Sequence, residues 1–275
     1  MMRGVQKSNT LEQKVIEAQN LANQGVRELL VIAQDTTTYG RDLTPKSSLH
    51  ELMELMETVD GIEWIRLHYA HPAHLNKKMI NKFSSLMKLV PYIDMPTQHG
   101  SDSVLKNMKR GLNSDGIKKR IELLRKSNNN MCLRTSMIVG FPGETDKDFK
   151  DLVDFVTEVK FDRLGVFQYS EEEGTSAALD YKDNIPKKIK QERYDELMMI
   201  QQKINYNKNK ERVGCKEKVI VDVSNDAGWS LARSYMDAPE VDNYVKINQK
   251  LDVGKFYNIK VTKAHEYDVE GELIN

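Results

Sequence analysis

Cysteine is scarce in this sequence. Two residues of 275, Cys132 and Cys215, lie far apart, which excludes a disulfide framework and any metal site built on clustered thiolates. Both are expected as reduced thiols, one of them in a strand. A cysteine-ligated iron–sulfur cluster takes three or four thiolates, and this chain cannot supply them by itself. Charge of one sign is also missing: 41 Lys and Arg balance 41 Asp and Glu, so no global basic field directs the chain to nucleic acid. No apolar run approaches the roughly 18 residues of a membrane span. The opening MMRGVQKSNT lacks the apolar stretch of a signal peptide. A cytoplasmic protein with no membrane contact is the default expectation. What is present is typical of a soluble globular chain, 30% charged and 39% hydrophobic, long enough for one or two packed domains.

The first 212 residues alternate two periodicities. Residues 10–24 place Leu11, Val15, Ala18 and Leu21 on one helical face, with Gly25 as a stop. Leu49, Leu52, Met53 and Met56 form a second stripe within 48–58. Further helices are expected over 74–88, 101–110, 114–127 and 145–159. Between them lie the short apolar runs ELLVIA, IEWIRLHY, VPYIDMP, MCLRTSMIVG and FDRLGVFQYS, which fit buried strands. Strands alternating with helices imply right-handed crossovers and a parallel sheet. Five such units are too few for a closed eight-fold barrel, so an incomplete barrel is predicted, with one strand missing at the front. Pro186 then opens a long helix near 187–212. From Cys215 the period changes to short alternating strands with turns at Asp226–Gly228 and Val253–Gly254. This predicts a five-stranded antiparallel β-barrel over 213–275, after a first domain over 1–212.

In a parallel α/β barrel the loops after the strands carry function. Those loops read AQDTTTYG (33–40), RLHYAHP (66–72), PTQHGSDSVL (96–105), RTSMIVGFPGET (134–145) and QYSEEEGTSAA (168–178). Each taken alone can be a turn or a cap, and Ser101 and Thr145 make good N-caps. His68, His71 and His74 recur every three residues, yet Pro72 and a strand-to-helix change interrupt the run, so convergence on a metal is not expected. His99, beside Gln98, is the better polar ligand contact.

Three of these stretches, EAQNLANQGVRELLVIAQDTTTYGRDL (17–43), PYIDMPTQHGSDSVLKNMKRG (91–111) and RTSMIVGFPGETDKDFKDL (134–152), resemble the methylthiotransferases of the radical S-adenosylmethionine (SAM) superfamily. The last domain resembles the TRAM domain that closes those enzymes. Its ARSYMDAPEVDNYV (232–245) and EYDVEGEL (266–273) are similar to the subgroup that adds a methylthio group to the β-carbon of an aspartate in the twelfth small-subunit ribosomal protein.

The resemblance implies a six-stranded α/β barrel, SAM, and two [4Fe–4S] clusters in the full-length enzyme. The family's CxxxCxxC segment is followed shortly by an Arg-Gly pair, which Arg3–Gly4 matches. The chain is therefore expected to be a fragment lacking the cluster segment, holding no cluster and inactive alone. Ser8–Asn9 stands where the family often has Ser-Arg.

Residue by residue, the resemblance puts Gln34 and Asp35 at the SAM amino group and Arg66 and Arg134 at its carboxylate. Ser136 is carried over to the ribose and Val139, Gly140 and Phe141 to the adenine. Gln98, Phe167 and Tyr169 are further pocket candidates.

The rival substrate within the family is tRNA. From Val213 onward eight Lys or Arg face eleven Asp or Glu, whereas a domain that grips phosphates should be basic. An acidic domain suits a basic ribosomal protein, with Asp237, Glu240 and Asp242 expected exposed on a loop as its contacts. A monomer is expected. A reading of another class, a non-catalytic binding module, would be favoured by the absence of three clustered cysteines in the complete gene.

Overall fold

The computed structural model describes residues 4–274; Arg3 of the Arg3–Gly4 pair lies outside them. The chain divides into two compact units, up to Met198 and from Met199 onward.

The first unit holds a five-stranded, all-parallel sheet in sequential order. Its strands are β1 (Glu28–Val31), β2 (Trp64–Leu67), β3 (Leu89–Asp94), β4 (Cys132–Val139) and β5 (Arg163–Gln168). Helices α1 (Leu11–Asn23), α2 (Leu49–Glu57), α3 (Lys77–Ser85), α4 (Asp102–Asn107), α5 (Ser114–Ser127) and α6 (Asp146–Val159) precede, connect and cover them. Side chains one residue apart along a strand point to opposite faces, and the register carries that alternation across the sheet. One face carries Leu29, Ile65, Leu67, Ile93, Leu133 and Met137, each at most 7% exposed. Burying such a side chain contributes about 1.5–3 kcal/mol. The opposite face carries Glu28, Arg66, Asp94, Arg134 and Ser136. The same inner face also carries the buried Trp64, Tyr92 and Cys132, so its charged groups sit among apolar ones, opposite a largely apolar back. Among the described residues the outer edge of β1 pairs with no strand.

Local sequence sets the helix ends. Thr10 and Gln13 form a capping box at α1, and Thr145 and Asp148 form one at α6. Ser101 departs from expectation: it makes no side-chain cap and donates its hydroxyl to Asp148 instead, at 2.6 Å. The helix expected over 101–110 stops at Asn107 because Lys109 turns left-handed, with φ 56°. A short helix, α7 (Ser176–Asp180), sits in the stretch read as loop. The long helix α8 (Lys187–Arg212) follows Pro186 as expected, and its first twelve residues belong to the first unit.

The second unit holds β6 (Lys216–Ser224), β7 (Ser230–Ser234), β8 (Val245–Ile247), β9 (Phe256–Ala264) and β10 (Val269–Leu273). They close into a barrel in the order β10-β8-β7-β6-β9. Val219, Val221, Val245, Ile259 and Val261 fill it, each 0% exposed. The barrel is not wholly antiparallel, since β10 and β8 run parallel. The reason is parity: strand directions cannot alternate all the way round a ring of five, so one neighbouring pair must agree.

Candidate functional site

The carboxyl ends of β2, β3, β4 and β5 surround a pocket of about 350 Å³. Gln34, Gln98, Ser136 and Phe167, all expected at the site, line it together with His71 and Arg110. Its rim is conformationally strained. Tyr69 and Gln98 both line the pocket and both adopt left-handed backbone, with φ 52° and 75°, a conformation that non-glycine residues take at a cost of roughly 1–3 kcal/mol. The surrounding structure enforces it. Gln98 N donates to Ser136 O at 3.0 Å, and Gln98 O accepts from Ile138 N at 2.8 Å. Tyr69 O accepts from Thr36 N at 3.1 Å, and Ala70 N donates to Asp94 O at 2.8 Å. Phe167 presents its ring to the opening, 56% exposed.

The other expected residues are committed elsewhere. Asp35 caps the turn Thr36–Thr38 through Thr37 and accepts from His74 Nδ1 at 2.6 Å. Burial alone would raise its pKa, but the bonds to Thr37 and His74 outweigh that and hold it below the usual carboxylate range. Arg66 is fully buried; its Nε bonds Glu28 Oε1 at 2.8 Å and its guanidinium lies 4.5 Å from the Tyr92 ring centroid. Arg134 Nη1 bonds Asp94 Oδ1 at 2.9 Å. Asp94 is likewise lowered, its burial offset by His68 and Arg134. Two arginines that the resemblance placed at a ligand carboxylate thus serve carboxylates of the inner face.

Val139 is buried on the apolar face of the sheet, and Phe141 packs edge-on against Tyr169 and Tyr181. Gly140 is left-handed at φ 73°, and a Cβ there would collide with the Lys190 side chain at Cγ. Glu144 ties this loop down. Its Oε2 accepts from Gly140 N at 2.8 Å, while its Oε1 pairs with Arg193 Nη1 at 2.8 Å. This fixes the backbone loop that follows β4.

The histidine expectations divide. His68, His71 and His74 do not converge on a metal, and no group of three metal-ligating side chains occurs among the described residues. His71 and His74 stack with ring centroids 4.6 Å apart. His99 is fully buried and accepts from Ser101 N at 2.9 Å, so it organises a loop and does not reach the pocket.

In the second unit the loop holding Asp237, Glu240 and Asp242 is folded on itself. Asp237 is 1% exposed and accepts from Ser234 Oγ at 2.8 Å, which corrects its expected exposure. Asp242 accepts from Ala238 N at 2.9 Å. A carboxylate can satisfy turn amides and hydroxyls, and in a tight Pro-containing loop these two do so. Only Glu240 is exposed, and it too is left-handed, with φ 66°.

The comparisons with known proteins agree with this architecture. Residues 1–156 match the radical SAM superfamily. The chain belongs to that superfamily. Residues 213–274 match the TRAM domain. The chain is 45% identical over 98% of its length to the ribosomal protein uS12 methylthiotransferase RimO of Caldanaerobacter subterraneus subsp. tengcongensis, and covers 62% of that relative. It is 42% identical over its whole length to the RimO of Pseudothermotoga lettingae, of which it covers 64%. The chain therefore spans somewhat over three-fifths of these curated relatives. Among solved structures, Escherichia coli coproporphyrinogen III oxidase (HemN), a radical SAM enzyme, shares the fold with a TM-score of 0.56 at 18% identity. That likeness covers 71% of this chain and 44% of the other. Methylornithine synthase (PylB) matches with a TM-score of 0.50 at 13% identity, covering 72% of this chain and 56% of the other.

Membership of the radical SAM superfamily implies SAM and a [4Fe–4S] cluster as cofactors. The pocket fits SAM: it combines amide, hydroxyl, imidazole and guanidinium groups with an exposed aromatic face, and the buried Arg110 Nε has no partner of its own. The cluster does not fit the residues described. Cys132 is buried and Cys215 exposed in the other unit, and a cluster needs three thiolates within bonding distance of its irons.

Proposed function

We propose that this chain is the SAM-binding and TRAM portion of a methylthiotransferase that modifies an aspartate of ribosomal protein uS12. Identity of 42–45% with proteins named for that activity, over essentially the whole chain, carries the reading. The acidic excess of the TRAM domain supports it, because a basic ribosomal protein is attracted where tRNA phosphates are repelled. On this reading the functional boundary is 212/213, which the start of the TRAM match at residue 213 supports, although the compact units divide at Met198 and Met199. The protein works in the cytosol as a monomer. No helix among the described residues is long and apolar enough to cross a membrane.

When bound, SAM with a cluster held by the complete protein would supply the power to abstract hydrogen from an unactivated carbon, and a second cluster would serve sulfur delivery. This chain's own residues supply binding and orientation. Gln34 and Gln98 offer amides at the strand ends, Ser136 a hydroxyl on the inner face, and Phe167 an aromatic wall that excludes water. Left-handed Gln98 and Tyr69 are pre-set, so little reorganisation accompanies binding. The loop 139–141 is held rigid by Glu144, whose Oε2 accepts the amides of Gly140 and Phe141.

The test offers the complete, cluster-loaded protein a uS12 peptide and tRNA together and seeks the added methylthio mass by mass spectrometry. Modified peptide is expected. Modified tRNA with untouched peptide would refute the substrate assignment. The chain of 275 residues alone, with two cysteines, is expected neither to hold a cluster nor to cleave SAM; stoichiometric iron after anaerobic reconstitution would contradict this.

A further inference from the structure

We propose that Arg110 is the anion receptor of the pocket and that it takes a carboxylate, with His71 in the same lining as a second donor. The identity of the candidate carboxylates rests on the function proposed above, but the site is read from the chain's own geometry.

Arg66 and Arg134 are engaged by Glu28 and Asp94. Arg110 is different. It lines the pocket and is half-buried. Its Nη2 donates to Pro96 O at 2.7 Å, its buried Nε has no partner, and among the described residues no carboxylate lies within ion-pair distance of it. Burial presses its pKa down, with Asp35 only partly offsetting that at longer range. An arginine stays protonated in proteins, so the pocket holds a partly desolvated positive charge with donors unspent. Such a group costs stability unless a ligand pairs with it.

The chain places it there by local geometry. Left-handed Lys109 and Gly111, with φ 56° and 75°, flank Arg110, whose N bonds Leu105 O at 3.0 Å. This turn carries the side chain back from the end of α4 to the carbonyl of Pro96 at the end of β3. The guanidinium is thereby clamped at one nitrogen while its remaining edge is left for a bidentate acceptor.

His71 completes the receptor. Its Nδ1 accepts from Ala73 N at 3.2 Å, which leaves the proton of the neutral ring on Nε2 as a donor. Burial, then Arg110 and His74, hold it down to about 4, so it adds a donor at neutral pH without a second charge. Ser136 and the amides of Gln34 and Gln98 add neutral polar groups. Carboxylate is the matching chemistry. Two carboxylates would enter this pocket under the proposed function: the methionyl carboxylate of SAM and the side chain of the target aspartate.

The test compares preferences, not absolute affinities. Equilibrium binding is measured on the complete, cluster-loaded protein, wild type and Arg110→Gln. One ligand pair is SAM and decarboxylated SAM. The other is the uS12 peptide and the same peptide with asparagine at the target. Arg110→Gln is expected to reduce the preference for the carboxylate-bearing member at least fivefold in one pair, leaving affinity for the neutral member unchanged. Loss in the SAM pair assigns the site to the cofactor, and loss in the peptide pair assigns it to the substrate. Unchanged preference in both pairs overturns the proposal. If Arg110→Gln binds neither neutral ligand, Arg110→Lys, which keeps the charge but loses the fork, is read the same way. A threefold loss of preference then supports the proposal, and none overturns it. A wild-type protein that ignores both peptides would count against the uS12 reading alone, leaving the SAM pair to judge Arg110.

Discussion

The two units of this chain treat charge in opposite ways. The TRAM barrel is closed round an apolar core cluster, the hydroxyls buried beside that cluster on Ser230 and Ser234 are bonded, and its buried Arg233 is paired. Arg233, 3% exposed, forks onto Asp222 and also donates to the carbonyl of Asp237 at 3.0 Å. The parallel sheet is open at its strand ends, and its inner face carries ionised side chains that lead up to a pocket where one cation is left over. A closed barrel has no face on which to leave a polar group unsatisfied without cost. An open sheet with helical crossovers has one, at the carboxyl ends of its strands.

Four measurements would break or sharpen that contrast. The buried network behind the pocket should give the largest effect. Glu144→Ala leaves Arg193, whose side chain is 7% exposed, with only the exposed Asp146 as ion-pair partner and orphans the Gly140 amide, so the first unit should lose about 2–4 kcal/mol. Each unit has one tryptophan, Trp64 and Trp229, so urea denaturation followed by Trp64 fluorescence in a Trp229→Phe background reads that unit alone. A loss under about 1 kcal/mol would show that the loop is held otherwise.

Next in size, Arg233→Met should destabilise the second unit by about 2–3 kcal/mol, since it removes charged hydrogen bonds to a partly exposed Asp222. Trp229 fluorescence in a Trp64→Phe background measures it. An unchanged midpoint would mean that the barrel needs none of its charge pairs.

A smaller effect belongs to pH. His71 takes up a proton near 4 when folded but near 6.5 in an unfolded chain. The unfolded state therefore binds more protons between those values, and the stability of the first unit should fall as pH drops through that window. His71→Gln should flatten the fall in urea midpoint between pH 7 and pH 5. Equal slopes for the two proteins would remove His71 as a buried neutral group.

The smallest effect concerns a turn. Glu240 is exposed and left-handed, so Glu240→Gly should stabilise the second unit by about 0.5–1 kcal/mol through relief of backbone strain. A loss of stability by thermal melting would show that its side chain makes a contact worth more than that strain.

Much of the architecture was legible in the residues. The stripe Leu49, Leu52, Met53 and Met56 has helical spacing and is buried as such, each at most 6% exposed. Pro186 marks the start of α8, and the change of period at Cys215 marks the TRAM barrel. The candidate site was legible only in part. The loops after the strands were identifiable because strand ends in a parallel sheet converge, and Gln34, Gln98, Ser136 and Phe167 do meet there. Asp237 was misjudged as exposed because a short acidic loop with proline has the composition of a solvated turn whether or not its carboxylates fold back onto Ser234.

By itself the sequence determined the order of the main strands and helices and the superfamily, because periodicity and turn residues act locally and the motifs are long. Only the tertiary structure decided which charges are spent. Arg66, Arg110 and Arg134 are chemically alike, and nothing in their neighbours along the chain separates them. Their roles depend on which carboxylates the sheet register brings opposite: Glu28 for Arg66, Asp94 for Arg134, and none among the described residues for Arg110. Pairing between side chains as far as 40 residues apart is a property of the fold, and it leaves the pocket with its one available cation among these three.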